Sequence, residues 1–188
     1  MALCIGGEKT VMKLWTIQHR AAYEAMLQTG VLRANSSYIL EEFFRDSYEW
    51  MVEQMKKRIG NPPDGVELPV WAWYQCGGKR KRPDMRYHGR SSEKGVPIVL
   101  LTIDVPDEQV LLSDFDYWHV VLNDGEIIFP YEDEAVYSRE ERQKSWENIF
   151  DYQCTFDDEE PTDELWTQAT MWEIRVEWVL KVEHFKTR

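Results

Sequence analysis

Asp114 and Asp116 stand two residues apart in the run Asp-Phe-Asp-Tyr-Trp-His (114–119). Two nearby carboxylates can push their pKa values apart until one serves as acid and the other as base, and His119 closes the same run. The pattern also has a structural explanation. After Ser113, acidic residues in the first turn of a helix are favoured by exposed N–H groups and the helix dipole. Arg86, in Arg-Pro-Asp-Met-Arg (82–86), could clamp a phosphate or carboxylate with two N–H groups, or pair with Asp84 or Asp114.

The chain has nine tryptophans in 188 residues, several within polar signatures: Leu-Trp-Thr-Ile-Gln (14–18), Trp-Ala-Trp-Tyr-Gln (71–75) and Gln-Ala-Thr-Met-Trp-Glu-Ile (168–174). A buried indole needs a partner for its N–H, so this many beside Gln, Asp, His and Arg implies a polar aromatic cleft. Trp15, Thr16, Gln18, Trp73, Arg86, Trp118, His119 and Gln168 are its expected lining. No phosphate-binding glycine loop, nucleophile elbow or H-E-x-x-H occurs, which removes the simplest nucleotide, hydrolase and metalloprotease readings. Histidines at 19, 88, 119 and 184 have no recurring ligand spacing. Cysteines at 4, 76 and 154 form neither a CxxC pair nor a zinc-type cluster, so neither a metal site nor a disulfide framework is expected.

A formal net charge of −12 opposes general attraction to DNA or RNA, whose binding depends on clustered Lys and Arg. Nucleic-acid binding survives as a third reading through the local patch Lys79-Arg80-Lys81-Arg82 with Arg86 and Arg90, which a solvated hairpin or loop tip would explain equally well. Acid is concentrated in 131–141 and 157–160. With 43% hydrophobic and 30% charged residues, and no apolar run near the roughly 18 residues a membrane span needs, the chain reads as soluble and globular. The opening Met-Ala-Leu-Cys-Ile-Gly-Gly has too short an apolar stretch for a signal peptide and no basic leader, so a cytoplasmic location is expected.

These residues must be positioned by a mixture of strands and helices. Residues 12–18 read as a strand, and Ala22, Tyr23, Met26 and Leu27 recur at helical spacing up to Gly30, a helix-ending glycine. Asn35-Ser36-Ser37 supplies cap residues for a long helix whose face runs through Leu40, Phe44, Tyr48, Met51 and Met55, stopped at 59–63. Val66–Gln75 reads as a strand entered at Pro69, Cys76-Gly77-Gly78 as a turn, and Pro97–Val105 as a strand central in a sheet. Ser113 is the expected N-cap of a helix over 114–123. Ser138-Arg139-Glu140-Glu141 fits a capping box before a helix to about Phe150, and 157–164 reads as an acidic loop. Leu165–Ile174 and Val179–Phe185 read as strands around a helical step. Strands and helices without regular alternation give an α+β fold: one domain over 12–188 with a central mixed or antiparallel sheet flanked by helices, preceded by a poorly ordered extension over 1–11.

Lys13–Gln18, Trp50–Met55, Trp71–Tyr74, Pro83–Arg86, Leu111–His119 and Gln168–Thr170 together resemble a bacterial family defined as a domain of unknown function, over nearly the whole chain from Met12. The order of elements also resembles ADP-ribosyltransferase-like domains. These open with a strand bearing His-x-Thr, continue through a helix to a Gly-apolar-apolar step, and carry a catalytic Glu on a strand near the C-terminus. Thr16-Ile17-Gln18, Ala21–Leu27 and Gly30-Val31-Leu32 follow that order, with Gln168 on the later strand.

The resemblance implies binding of NAD or a related nucleotide. It also exposes two departures: Thr16 stands where His holds the nicotinamide ribose, and Gln168 where Glu supports a cation-like transition state. Gln supplies no negative charge. Catalysis would then fall to another carboxylate, Asp114 or Glu173, the latter equally explained as an exposed strand residue. The competing class is a non-enzymatic module binding a protein partner through aromatic residues, in stress response or in conflict between bacteria and phages.

Overall fold

The computed structural model describes residues 10–34, 42–90, 93–128, 136–151 and 165–188. Its elements in chain order are β1 (Val11–His19), α1 (Arg20–Thr29), β2 (Val31–Leu32), α2 (Arg45–Ile59), β3 (Val70–Gln75), α3 (Met85–His88) and β4 (Pro97–Pro106). They continue with β5 (Leu111–Asp114), α4 (Phe115–Leu122), α5 (Arg139–Ser145), β6 (Thr167–Met171), β7 (Ile174–Arg175) and β8 (Val179–Lys186). Six strands form one sheet in the order β5-β6-β3-β1-β4-β8, every neighbouring pair antiparallel, and β2 pairs with β7 apart from it. The chain is a single α+β domain, and its expected central sheet is antiparallel.

Both faces of this sheet are covered, which explains why β4 is apolar along almost its whole length. On one face Leu14, Val70, Ala72, Val99, Leu101, Ile103, Ala169 and Met171 pack with Met26 of α1. On the other, Leu111 and Trp71 pack with Met51, Met55, Trp118, Trp146 and Ile149, while Trp15, Ile98 and Leu100 pack against Met85. Leu14, Leu100, Leu101 and Ile103 are fully buried, each removing enough apolar surface from water to contribute about 1.5–3 kcal/mol.

Local signals account for many boundaries. Gly30 ends α1 in the left-handed region (φ 83°), and its N–H donates to the Met26 carbonyl at 2.8 Å. Ser138 and Glu141 form the capping box that starts α5, which passes into a 3-10 turn over Trp146–Phe150. Other boundaries differ from expectation. β3 begins at Val70, because Pro69 has no N–H to offer a ladder, and Val66 is buried in the core ahead of the strand. Ser113 is not the cap of α4: it lies in β5 opposite Gln168, and Asp114 caps the helix by accepting the Tyr117 N–H at 2.8 Å. α2 starts at Arg45 after a 3-10 turn at Glu42–Phe44, with no side-chain cap at Phe44. The expected cap residues 35–37, residues 1–9 of the expected extension over 1–11, and the acidic stretches 131–135 and 157–164 lie outside the described residues, while Val11 opens β1. No helix among the described residues is long and apolar enough to cross a membrane.

One seam in the sheet departs from a regular ladder. Among the described residues β1 and β3 share a single registered pair, Trp15 opposite Trp73, whereas β1 pairs with β4 along its full length. Side chains satisfy carbonyls on both sides of that pair. Thr16 Oγ1 donates to the Trp71 carbonyl at 2.7 Å, and Arg80 donates to the Lys13 carbonyl at 2.8 Å and to the Tyr74 carbonyl. Arg80 Cζ also sits over the Tyr74 ring, 3.5 Å from its centroid. Buried strand carbonyls need such partners wherever the backbone ladder opens.

Candidate functional site

A row of side chains crosses one face of the sheet at the level of Trp73. Registry places Trp15 of β1 opposite Trp73 of β3, Trp73 opposite Gln168 of β6, and Gln168 opposite Ser113 of β5. Residues directly opposite in an antiparallel pair share a face, with Cβ atoms about 4.5–5.5 Å apart. Gln168 is 5% exposed and Ser113 0% exposed, yet Gln168 Nε2 and Ser113 Oγ have no hydrogen-bond partner among the described residues. The Trp71 indole N–H, two residues along the same face, is also without one. Buried polar groups are nearly always satisfied, so three without a partner among the described residues set this face apart from the rest of the sheet.

A layer of rings lies over this row. Trp73 meets Phe115 at 4.8 Å between centroids, His88 at 5.2 Å and Trp166 at 5.5 Å, while His88 and Trp166 are 5.4 Å apart. His119 closes on Phe115 at 4.5 Å. Trp73, His88, Phe115 and Trp166 are half-buried and His119 is exposed, so the layer has both a packed side and a wet side.

Its rings are fixed by caps and backbone bonds. The Phe115 N–H donates to the Trp166 carbonyl at 2.9 Å where α4 leaves the sheet. His88 ends the short α3, started by Asp84 accepting the Arg86 N–H at 2.9 Å. Burial pulls the His88 imidazole below its ordinary pKa of 6.5, outweighing the nearby Asp84 charge, and favours a neutral ring.

The expected cleft residues divide between the two faces of the sheet. Trp15, Trp73 and Gln168 share one face, and strand alternation places Thr16 and Gln18 on the other, where Gln18 Nε2 donates to Thr16 Oγ1 at 2.7 Å. Trp118 is buried in the core, 5.0 Å from Trp71 and 5.4 Å from Tyr48. Arg86 is 82% exposed in its side chain and held by Asp84, with Nη2 to Oδ2 at 2.7 Å and Nε 3.1 Å from both oxygens. These bonds hold the Asp84 carboxyl down at about 2.

The carboxylate candidates are also engaged. Burial raises the Asp114 carboxyl above its usual range, against the lowering effect of the Tyr117 N–H bond, while Asp116 is exposed. Glu173 is buried, not an exposed strand residue: Arg33 Nη2 and Nε reach it at 2.9 and 3.0 Å and Arg175 Nε at 3.1 Å. Within the basic run, Arg80 closes the β1–β3 seam and Arg82 pairs with Glu183 at 3.1 Å. Among the described residues no group of three or more His, Cys, Asp or Glu is placed to hold a metal ion.

Ser113, His88, Phe115 and Trp166 were not singled out as binding residues by sequence. Phe115 and Ser113 lie inside the 111–119 signature, but their convergence with Trp73 depends on the β3-β6-β5 register.

Residues 13–146 match the model of a family described as Domain of unknown function (DUF3841). The chain belongs to that family. The DUF3841 match spans β1 through α5 and so contains Trp15, Trp73, His88, Ser113 and Phe115, whereas Trp166 and Gln168 follow it. No curated protein and no solved structure matches this DUF3841 chain.

Proposed function

We propose that this DUF3841 chain binds the planar base of NAD or a related nucleotide on the ring layer of Trp73, His88, Phe115 and Trp166. Gln168 Nε2 and Ser113 Oγ supply hydrogen bonds to the polar edge of that ligand. The observation that carries the reading is the Trp73, Gln168, Ser113 row: two buried polar groups without partners among the described residues, on the face that carries half-exposed aromatic rings. Rings offer an apolar plane for stacking, and the paired polar atoms select orientation.

β1 and β6, the two strands on which the resemblance to ADP-ribosyltransferase-like domains rests, both flank β3. Catalysis is not part of this proposal. Gln168 lacks charge, Thr16 closes the β1–β3 seam on the opposite face, and Glu173 is held by two arginines. Arg86 would need to exchange Asp84 for a ligand phosphate.

The test is the thermal-unfolding midpoint with and without NAD, ADP-ribose and common nucleotides, because a ligand of the folded state raises the midpoint by mass action. A shift that disappears in Trp166→Ala and Gln168→Met supports the site. No shift with any of these ligands overturns it.

A further inference from the structure

β8 forms one outer edge of the six-stranded sheet, with β4 on one side and, among the described residues, no strand on the other. It is eight residues long, against four for β5 at the opposite edge. An edge of that length presents N–H and C=O groups that can template another strand.

The side chains along this edge are arranged about Val182. Val182 and His184 oppose Leu101 and Val99, while Lys181, Glu183 and Phe185 oppose Thr102, Leu100 and Ile98 on the other face. Lys181 and Glu183 therefore straddle Val182 on one face, 3.3 Å apart between Nζ and Oε1. Turn a second copy by a two-fold rotation about Val182, so that the edges run antiparallel. Val182 then meets Val182, Lys181 meets Glu183, and Glu183 meets Lys181. A register shift between Thr102 and Ile103 puts Val179 on the Ile103 face and Phe185 on the Ile98 face, so the two sheets keep their faces aligned through Lys181, Val182 and Glu183.

We infer that a second copy of this chain docks along β8, antiparallel and centred on Val182, continuing the sheet across two protomers. The argument is charge complementarity: a symmetric strand pair is stabilised when opposite charges face each other and opposed when like charges do. Under the two-fold, Lys181 and Glu183, which also pairs with Arg82 at 3.1 Å, face opposite charges instead of like ones.

Sedimentation velocity of the full chain, over a concentration series through the micromolar range, tests the inference. The wild-type chain should show a concentration-dependent dimer. Lys181→Glu sets carboxylates opposite Glu183 twice and should weaken that dimer by about tenfold or more. A wild-type chain that stays monomeric throughout the series overturns the inference, and so does a Lys181→Glu chain that dimerises as strongly as wild type.

Discussion

Gln168 sits directly opposite Trp73 in the register of β6 and β3, its buried amide sharing a face with the half-exposed indole. Its Nε2 makes no hydrogen bond among the described residues, so the amide contributes little to folding through that atom. Replacing Gln168 with Met, close in volume, should change stability by less than about 1.5 kcal/mol. Trp73→Ala removes a packed indole and should cost about 3–5 kcal/mol. Urea unfolding compares the two. A loss for Gln168→Met as large as that for Trp73→Ala would mean the amide is a structural element.

Arg80 distinguishes two roles within the basic run. Its guanidinium satisfies the Lys13 and Tyr74 carbonyls and stacks on the Tyr74 ring. Arg80→Ala should destabilise the fold by about 0.5–1.5 kcal/mol, since it removes the side-chain bonds to the two strand carbonyls. Lys79→Ala, at an exposed turn, should stay within about 0.5 kcal/mol. Equal unfolding midpoints for the two variants would remove Arg80 from the seam.

Asp114, buried, and His88, half-buried, act with opposite sign. Burial raises Asp114 above the ordinary 3.8, so the folded state holds its proton more tightly than the unfolded chain does. Its contribution therefore declines as pH rises from 3.8 through the folded value. Asp114→Asn keeps an acceptor for the Tyr117 N–H and should abolish that decline. Burial lowers His88 below 6.5, so its contribution is complete above 6.5 and lost as pH falls through the folded value. His88→Gln should flatten that lower-pH loss. Urea unfolding across pH checks both, and a variant curve parallel to wild type rejects the corresponding assignment.

Arg33 and Arg175 share Glu173 unequally. Arg33 makes two bonds to the buried carboxylate and Arg175 one. Arg33→Ala should cost about 1–3 kcal/mol, because a buried carboxylate loses its main partner, and Arg175→Ala less than that. A double-mutant cycle with Glu173→Gln measures each coupling. A larger coupling for Arg175 would reverse the assignment.

Elements whose signals are local were legible in the sequence: β1, the Gly30 stop of α1, the apolar β4, and the capping box of Ser138 and Glu141. The site was legible in its materials and not in its assembly. Thr16 and Gln18 adjoin Trp15 in sequence, yet a period of two sends them to the opposite face from Gln168. Ser113 and Asp114 are both good caps, and the choice between them follows from Ser113 pairing with Gln168 far along the chain. Arg80 read as a solvated tip because its partners, Lys13 above all, are distant in sequence. Register and side-chain reach are tertiary quantities that local pattern does not encode.

The opening between β1 and β3 has a mechanical meaning. The sheet is two three-stranded ribbons, β5-β6-β3 and β1-β4-β8, joined by one stitch at Trp15 and Trp73 with Thr16 and Arg80 as ties on either side. Because Trp73 is also the centre of the ring layer, one side chain belongs both to those rings and to the joint where the two ribbons meet.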